Sequence, residues 1–311
     1  MTQEIRFGGY QGDKSVHTRG GRVFAEAVER HTDGALRVAF DENIVKHGHK
    51  AADLLSMTES GALDGCYFSS SYLASRVPEL GLFDQHFVVP DRQRAYAVLD
   101  GALGERLKGK VAQATGYTVL GYWDNGLRHI SSRTPIRTPD DCQDLALRTL
   151  ANEDHQRVFR ALGFDPKAID VRDLPAAVRD GTVDAQENPL TNIYNFAIHE
   201  AHRSITLTRH LLGVALLLFN ADTVRGWDDR TRAAVERAAA EATLAQRGFA
   251  ERDDVTCADA LRAQGVELIE LSETERAAFA ERARPEVDVT RARFDPELLA
   301  IFDADLSTGS P

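Results

Sequence analysis

Most of the short motifs that identify enzymes are absent from this sequence. Its 311 residues contain no G-x-S-x-G nucleophile elbow, no dinucleotide or phosphate glycine loop and no H-E-x-x-H zinc motif. The three cysteines, Cys66, Cys142 and Cys257, lie far apart without a C-x-x-C pair, which excludes the usual cysteine zinc site and a disulfide framework. We therefore expect no catalytic residue, no metal site and no cofactor.

Positive charge and long apolar segments are also scarce. The chain has 37 Lys and Arg against 48 Asp and Glu, a net charge of −11, which disfavours binding to nucleic acid or to an anionic membrane surface. The longest apolar run, 214–219, is much shorter than the roughly 20 residues of a membrane helix. The first residues, MTQEIRFGGY, have neither the basic nor the apolar part of a signal peptide. We expect either a cytoplasmic protein or a mature form that begins with an added Met1.

What the sequence does contain is a regular alternation of strand and helix patterns. Hydrophobic residues make up 43% of the chain, enough for a core, and its length allows two domains of about 150 residues. Because parallel strands need crossover helices, the alternation predicts α/β lobes with mostly parallel sheets. The segments whose prediction matters below are one helix over 91–112, separate strands at 117–123 and 127–132, a strand at 168–171, separate strands at 203–208 and 210–221, and one long helix or two from Asp228.

Two arginines lie in strand patterns. Arg148 is surrounded by apolar positions in LALRTL, where a guanidinium is unfavourable unless it meets an anion. The anion is either a ligand carboxylate or an internal partner, Glu187 or Asp184. Arg128, at the start of another predicted strand, raises the same question.

The histidines are scattered, and only His199 and His202 have a spacing that places both on one helical face. No carboxylate follows at a recognisable metal-ligand spacing. We therefore expect surface or helix-capping roles for the histidines, including His129, His155 and His210.

The order of several motifs resembles the solute-binding proteins of tripartite ATP-independent periplasmic (TRAP) transporters. The resemblance covers nearly the whole chain and is weakest after about residue 250. Its most specific part is the run V-D-A-Q-E-N-P together with the upstream arginines. The motifs are F-A-E-A-V-E-R-H-T-D-G-A-L-R-V (24–38), G-L-R (126–128), P-I-R-T-P-D-D (135–141), L-A-L-R-T (145–149), L-G-F-D-P (162–166) and A-A-V-R-D-G-T-V-D-A-Q-E-N-P (176–189).

The resemblance implies a receptor that closes two lobes around a small organic acid and delivers it to a membrane permease. In that family an arginine corresponding to Arg148 holds the ligand carboxylate. The other positions that the resemblance assigns to ligand binding are Arg128, Asn188, Val171, His210, Tyr10, Phe68, Ser69 and Trp123.

The same resemblance implies a two-lobed periplasmic-binding-protein-like fold. We expect lobe I to comprise residues 1–122 and about 213–250, and lobe II residues 123–212 and about 251–311, with the ligand cleft between them. Family members are exported, so the expected location is periplasmic with the signal peptide removed. The alternative from another class is a lyase or hydrolase acting on a carboxylate. Dicarboxylates, hydroxy acids, sugar acids and aromatic acids all stay open as ligands.

Overall fold

A computed structural model describes residues 3–89 and 91–308 of the chain. The described residues form nine strands and eleven α-helices. The strands are β1 (Gln3–Gly8), β2 (Leu36–Asp41), β3 (Gly65–Ser69), β4 (Tyr117–Ser132), β5 (Ala146–Thr149), β6 (Asp165–Ala168), β7 (Ala185–Pro189), β8 (Ser204–Asn220) and β9 (Glu267–Ile269). The helices are α1 (Val16–His31), α2 (Asp53–Glu59), α3 (Arg92–Asp100), α4 (Ala102–Ala114), α5 (Glu153–Ala161), α6 (Leu174–Arg179), α7 (Leu190–Asn195), α8 (Ala221–Arg225), α9 (Asp229–Ala263), α10 (Glu273–Arg291) and α11 (Pro296–Thr308).

The first of two compact units comprises the chain up to Ser70, Arg106–Asn125 and Val214–Asp253. In it β1 pairs in parallel with β2 and β3, and β3 pairs antiparallel with β8. Its core is rich in aromatic rings that pack at 5–6 Å between centroids, as aromatic pairs prefer. These core rings belong to Phe7, Phe24, Tyr67, Trp123 and Phe219.

The second unit comprises Ser71–Glu105, Gly126–Gly213 and the chain from Asp254 onward. Here β5 pairs in parallel with both β6 and β7, β4 pairs antiparallel with β7, and β9 adds in parallel to β8. Two separate apolar clusters fill this unit, one around Phe159 and Phe279 and the other around Ile193 and Leu261. The sheets carry both parallel and antiparallel pairs between helices, which confirms the predicted α/β class.

Two pairs of predicted strands are single strands in the structure. The segments 117–123 and 127–132 are both part of β4, and 203–208 continues into β8. The turn residues that suggested a break include Gly126, which lies within β4 at φ +86°, a left-handed conformation. A Cβ atom added there would lie 2.3 Å from the Cβ of Pro189, so glycine is required by conformation and by the close approach of β7.

Three other predictions need correction. The single helix predicted over 91–112 is two helices, because the chain is extended at Gly101 between α3 and α4. The segment Ser71–Glu105 was placed in the first lobe, yet it belongs to the second unit, where α3 packs on α11. The strand predicted at 168–171 ends at Ala168, so Val171 lies in the turn that precedes α6.

The helix predicted from Asp228 is one helix, α9, of 35 residues that runs from the first unit into the second. Among the described residues, no helix combines the length and the apolar character that crossing a membrane requires.

Candidate functional site

Arg148 lies on β5, which is flanked by β6 on one side and β7 on the other. Its Cα pairs with Lys167 on β6 and with Gln186 on β7, and the residue is 1% exposed. Nε donates to the carbonyl oxygen of Ile169 at 2.9 Å, and no described carboxylate lies within ion-pair distance. Burial lowers the pKa of Arg148, and the nearby positive charge of Arg128 acts in the same direction. Tyr72, Glu187 and Asp170 favour its charged form from a distance, but none of the described carboxylates forms an ion pair with this guanidinium.

Arg128 is buried to the same degree but is fully engaged by β7. Its Nε and Nη2 meet the two carboxylate oxygens of Glu187, with Nη2 to Oε1 at 2.9 Å, and Nη2 also donates to the Glu187 carbonyl oxygen. Burial alone would raise the pKa of Glu187, but the charge and hydrogen bonds of Arg128 hold it far below its ordinary value. Glu187, which the sequence analysis considered as an ion-pair partner of Arg148, is thus the partner of Arg128. The other candidate, Asp184, instead accepts from the backbone N–H of Ala146.

Asn188 belongs to a row of amide side chains along β7. Its Nδ2 donates to Oε1 of Gln186 at 2.6 Å, and its Oδ1 accepts from Nδ2 of Asn192 at 3.2 Å. Arg128 Nη2 reaches the same Oδ1 at 3.4 Å. Because each amide orients the next, Asn188 has a fixed orientation beside the buried ion pair.

His210 approaches the same ion pair from β8. Its Nε2 lies 3.6 Å from Oε2 of Glu187, and its Nδ1 hydrogen-bonds with the Thr208 hydroxyl at 2.7 Å. Burial lowers the pKa of His210, while Glu187 opposes that shift. Arg128, Asn188 and His210 therefore form one network around Glu187.

The expectation that the histidines lie on the surface or cap helices holds for the exposed His47 and His49 but is wrong for five others. His129, His155, His199, His202 and His210 are all buried, each 5% exposed or less. Their sequence positions gave no hint of this, because buried and exposed histidines have the same local patterns. Within residues 3–89 and 91–308, no group of three metal-ligating side chains has the arrangement of a metal site.

Three predicted site residues in the first unit lie near one another. Tyr10 follows β1 and its ring is 5.3 Å from that of Phe68 on β3, and Ser69 ends the same strand. Trp123 belongs instead to the core, where its Nε1 donates to the Thr243 hydroxyl at 3.2 Å.

Two groups of polar residues at the strand ends were missed in the sequence. Tyr72 lies three residues after the end of β3 and interacts electrostatically with Arg148. Burial raises the pKa of the Tyr72 hydroxyl. Gln11 in the β1–α1 turn and His17 in the first turn of α1 are buried side by side, with Nδ1 of His17 3.2 Å from Oε1 of Gln11. A polar turn after a first strand was the only signal, and it does not separate a site from a helix cap.

Comparison with known sequences identifies the family. Residues 7–293 match the profile described as bacterial extracellular solute-binding protein, family 7, the DctP family. The chain belongs to this family of TRAP solute receptors, as the motif order predicted.

Individual relatives are distant but cover nearly the whole chain. The C4-dicarboxylate-binding periplasmic protein of Rhodobacter capsulatus is 29% identical over 289 residues, covering 92% of this chain and 86% of the relative. The 2,3-diketo-L-gulonate-binding periplasmic protein of Escherichia coli K12 is 27% identical, with 90% and 84% covered. The crystal structure of a sugar acid binding protein from Advenella mimigardefordensis, in complex with galactonate, superposes with a TM-score of 0.94 at 28% identity and 99% coverage of both chains.

Family membership decides between the two function classes left open by the sequence. These relatives are solute-binding transport proteins, so the enzyme alternative is not supported. The extracytoplasmic location expected from the motifs is confirmed, because the family is one of extracellular binding proteins.

Proposed function

We propose that this protein binds the carboxylate of a small organic acid with Arg148 and presents the acid to the permease of a TRAP transporter. The observation that carries this proposal is the contrast between two buried guanidinium groups, one paired with Glu187 and one with no carboxylate partner in its unit. A buried, unbalanced cation is unfavourable until an anion binds it. The planar fork of arginine matches a carboxylate in a bidentate contact.

We further propose that the acid carries one carboxylate together with hydroxyl or keto oxygens. Arg128 is already neutralised by Glu187, so the pair contributes no net charge for a second carboxylate. The amide of Asn188 is neutral, and the charge of Arg128 is balanced by Glu187. Both groups can hydrogen-bond to hydroxyl oxygens of a ligand. The galactonate and diketogulonate named for two relatives have this composition.

The remaining predicted positions take supporting roles in this proposal. Tyr10, Phe68 and Ser69 stay predicted ligand-binding positions of the first unit, where the rings of Tyr10 and Phe68 lie 5.3 Å apart. His210 holds Glu187 in place, and Val171 borders the turn after β6. Trp123 acts through packing rather than contact, since its indole nitrogen is bonded within the core.

The test is a thermal-shift and calorimetric screen of wild-type protein against acids and their matching amides. An acid present at 100 times its Kd adds about 2.7 kcal/mol to the free energy of unfolding, or roughly 5–10 °C in Tm. We expect hydroxylated monocarboxylates to shift Tm while their amides do not. Equal binding of acid and amide would contradict the carboxylate contact, and a preference for dicarboxylates would contradict the role given to Arg128.

A further inference from the structure

Three buried imidazoles, those of His86, His155 and His210, lie next to one another in the second unit, and the proposed function gives a role only to His210. The rings of His86 and His155 are 5.0 Å apart and nearly perpendicular, and the rings of His86 and His210 are stacked at 5.3 Å. A carboxylate lies at each end of the row. Nε2 of His155 is 3.8 Å from Oδ1 of Asp84, and Nε2 of His210 is 3.6 Å from Glu187. We call these five residues the histidine row.

Several polar atoms at the Asp84 end of the histidine row have no hydrogen-bond partner. These are Nε2 of His86, both ring nitrogens of His155 and Oδ2 of Asp84, and all are sealed from the surface. The second carboxylate oxygen of Asp84, Oδ1, accepts a hydrogen bond from the Ser71 hydroxyl at 2.7 Å. Buried polar atoms in native proteins are almost always paired with protein groups or with ordered water. Four such atoms on three neighbouring residues therefore call for a bonding partner.

The shape of the cluster argues against the two other ways to satisfy these atoms. The separation of 3.8 Å between His155 and Asp84 is too long for a direct hydrogen bond. Within the described part of the chain, no three ligating groups are placed to hold a metal ion. Water fits both donor and acceptor positions, since a neutral imidazole offers one of each. Burial and the neighbouring histidines lower the pKa of His86, which keeps that ring neutral near pH 7.

A cavity lies next to residues that contact Asp84 and His155. It has a volume of about 140 Å³ and is lined in part by Ser71 and Asn152. Ser71 is bonded to Asp84, and Asn152 caps the helix α5 that carries His155. Two residues that line the cavity are therefore hydrogen-bonded to residues of the cluster, Ser71 to Asp84 and Asn152 to the backbone of His155.

We propose that Asp84, His86 and His155 enclose an internal hydration site that holds at least one ordered water molecule. The water bridges Oδ2 of Asp84 to the ring nitrogens of His155 and His86 and so joins the row to the cavity side of the unit. This site does not depend on which acid the protein binds.

The direct test is a crystal structure of the wild-type protein at about 1.5 Å resolution or better. We expect a density peak within hydrogen-bond distance, about 2.6–3.2 Å, of at least two of the four unpaired atoms. An empty cluster, or rings reoriented so that each atom bonds to protein, would overturn the proposal. An anomalous signal from a transition metal at the peak would overturn it as well.

A solution experiment separates an internal water from a crystal effect. Oxygen-17 relaxation dispersion counts long-lived internal waters, and we expect His155→Phe to lose at least one relative to wild type. His155→Gln, which retains polar atoms, serves as the matched variant and should keep it. If His155→Phe does not fold, His86→Phe takes its place. An unchanged count in the folded phenylalanine variant would contradict the site.

Discussion

Arg128 and Arg148 are two buried arginines in the same unit that differ in one respect, their partner. Arg128 follows the left-handed Gly126 on β4 and reaches the carboxylate of Glu187 on the neighbouring β7. Arg148 lies on β5, on the opposite side of β7, and among the described residues its guanidinium makes one hydrogen bond, to the carbonyl oxygen of Ile169. The single buried carboxylate on the strand between them is committed to one of the two.

The difference shows how a fold can hold one cation for structure and reserve another for a ligand. A buried ion pair is strongly destabilised when one partner is removed, because the other charge is left uncompensated. An unpaired buried cation has the opposite property, since removing it relieves a cost. The two arginines should therefore respond differently to substitution, in folding and in binding.

The largest effect is expected from Glu187→Gln, which breaks the pair and leaves Arg128 buried and charged. We expect the free energy of unfolding to fall by about 3–5 kcal/mol. Urea denaturation monitored by circular dichroism measures the loss. The exposed Glu200→Gln is the matched control and should change stability by no more than about 0.5 kcal/mol. Equal effects in the two variants would remove the distinction between the arginines.

Arg148→Met should reduce acid affinity without reducing stability, the reverse of what we expect for Glu187→Gln. Acid affinity is expected to fall by about 2–5 kcal/mol, at least roughly 30-fold in Kd, because the ligand carboxylate loses its charged partner. Stability without ligand should be unchanged or higher, since a buried unbalanced charge is removed. Calorimetric titration and thermal unfolding of the same sample measure both.

The controls for this variant separate charge from geometry. Arg148→Lys keeps the charge without the fork and should recover part of the affinity. Arg179→Met replaces an exposed arginine and should bind as wild type does. Wild-type affinity in Arg148→Met would refute the carboxylate contact, and a failure to fold would show that Arg148 is structural.

The polar interior of the second unit also predicts a pH dependence. Burial lowers the pKa of His202 to about 4 from 6.5, so between these values the unfolded chain takes up a proton that the native state does not. Stability should therefore decrease as the pH falls from 6.5 towards 4, by up to about 1.4 kcal/mol per pH unit for this residue. His202→Gln should flatten the curve of Tm against pH, whereas the exposed His47→Gln should not. Parallel curves for wild type and His202→Gln would contradict this assignment.

Asn188→Ala is expected to have the smallest effect. A neutral hydrogen bond contributes about 0.5–1.5 kcal/mol, so acid affinity should weaken roughly 2- to 10-fold. The exposed Asn195→Ala, at the end of α7, is the control. A loss as large as that of Arg148→Met would place the main ligand contact on β7 instead of β5.

The sequence predicted the fold class and the family, because both depend on patterns that are local or ordered along the chain. The apolar run at 214–219 predicted a buried strand, and the segment from Asp228 predicted helix, although one helix or two stayed open until the structure showed the single helix α9. The predicted break between 117–123 and 127–132 was wrong, because a glycine that ends a strand and a left-handed glycine inside a strand are alike in sequence.

The partners of the two arginines could not be predicted in the same way. Arg128 and Glu187 are 59 positions apart, and only the antiparallel register of β4 and β7 brings them together. The contacts within the histidine row are even harder to predict from sequence, since His86, His155 and His210 come from three separate segments. Burial of a single polar residue is a property of the assembled unit, which no local pattern encodes.

The division of the chain into interleaved segments has a consequence for protein synthesis. The first unit is completed only by Val214–Asp253, which supplies one of its strands and most of α9. The amino-terminal strands therefore leave the ribosome long before their partner strand exists, and the usual order of folding one domain after the other along the chain is not open to them. A chain that stalls before residue 214 would expose an unfinished sheet edge, which makes early stalling a source of aggregation.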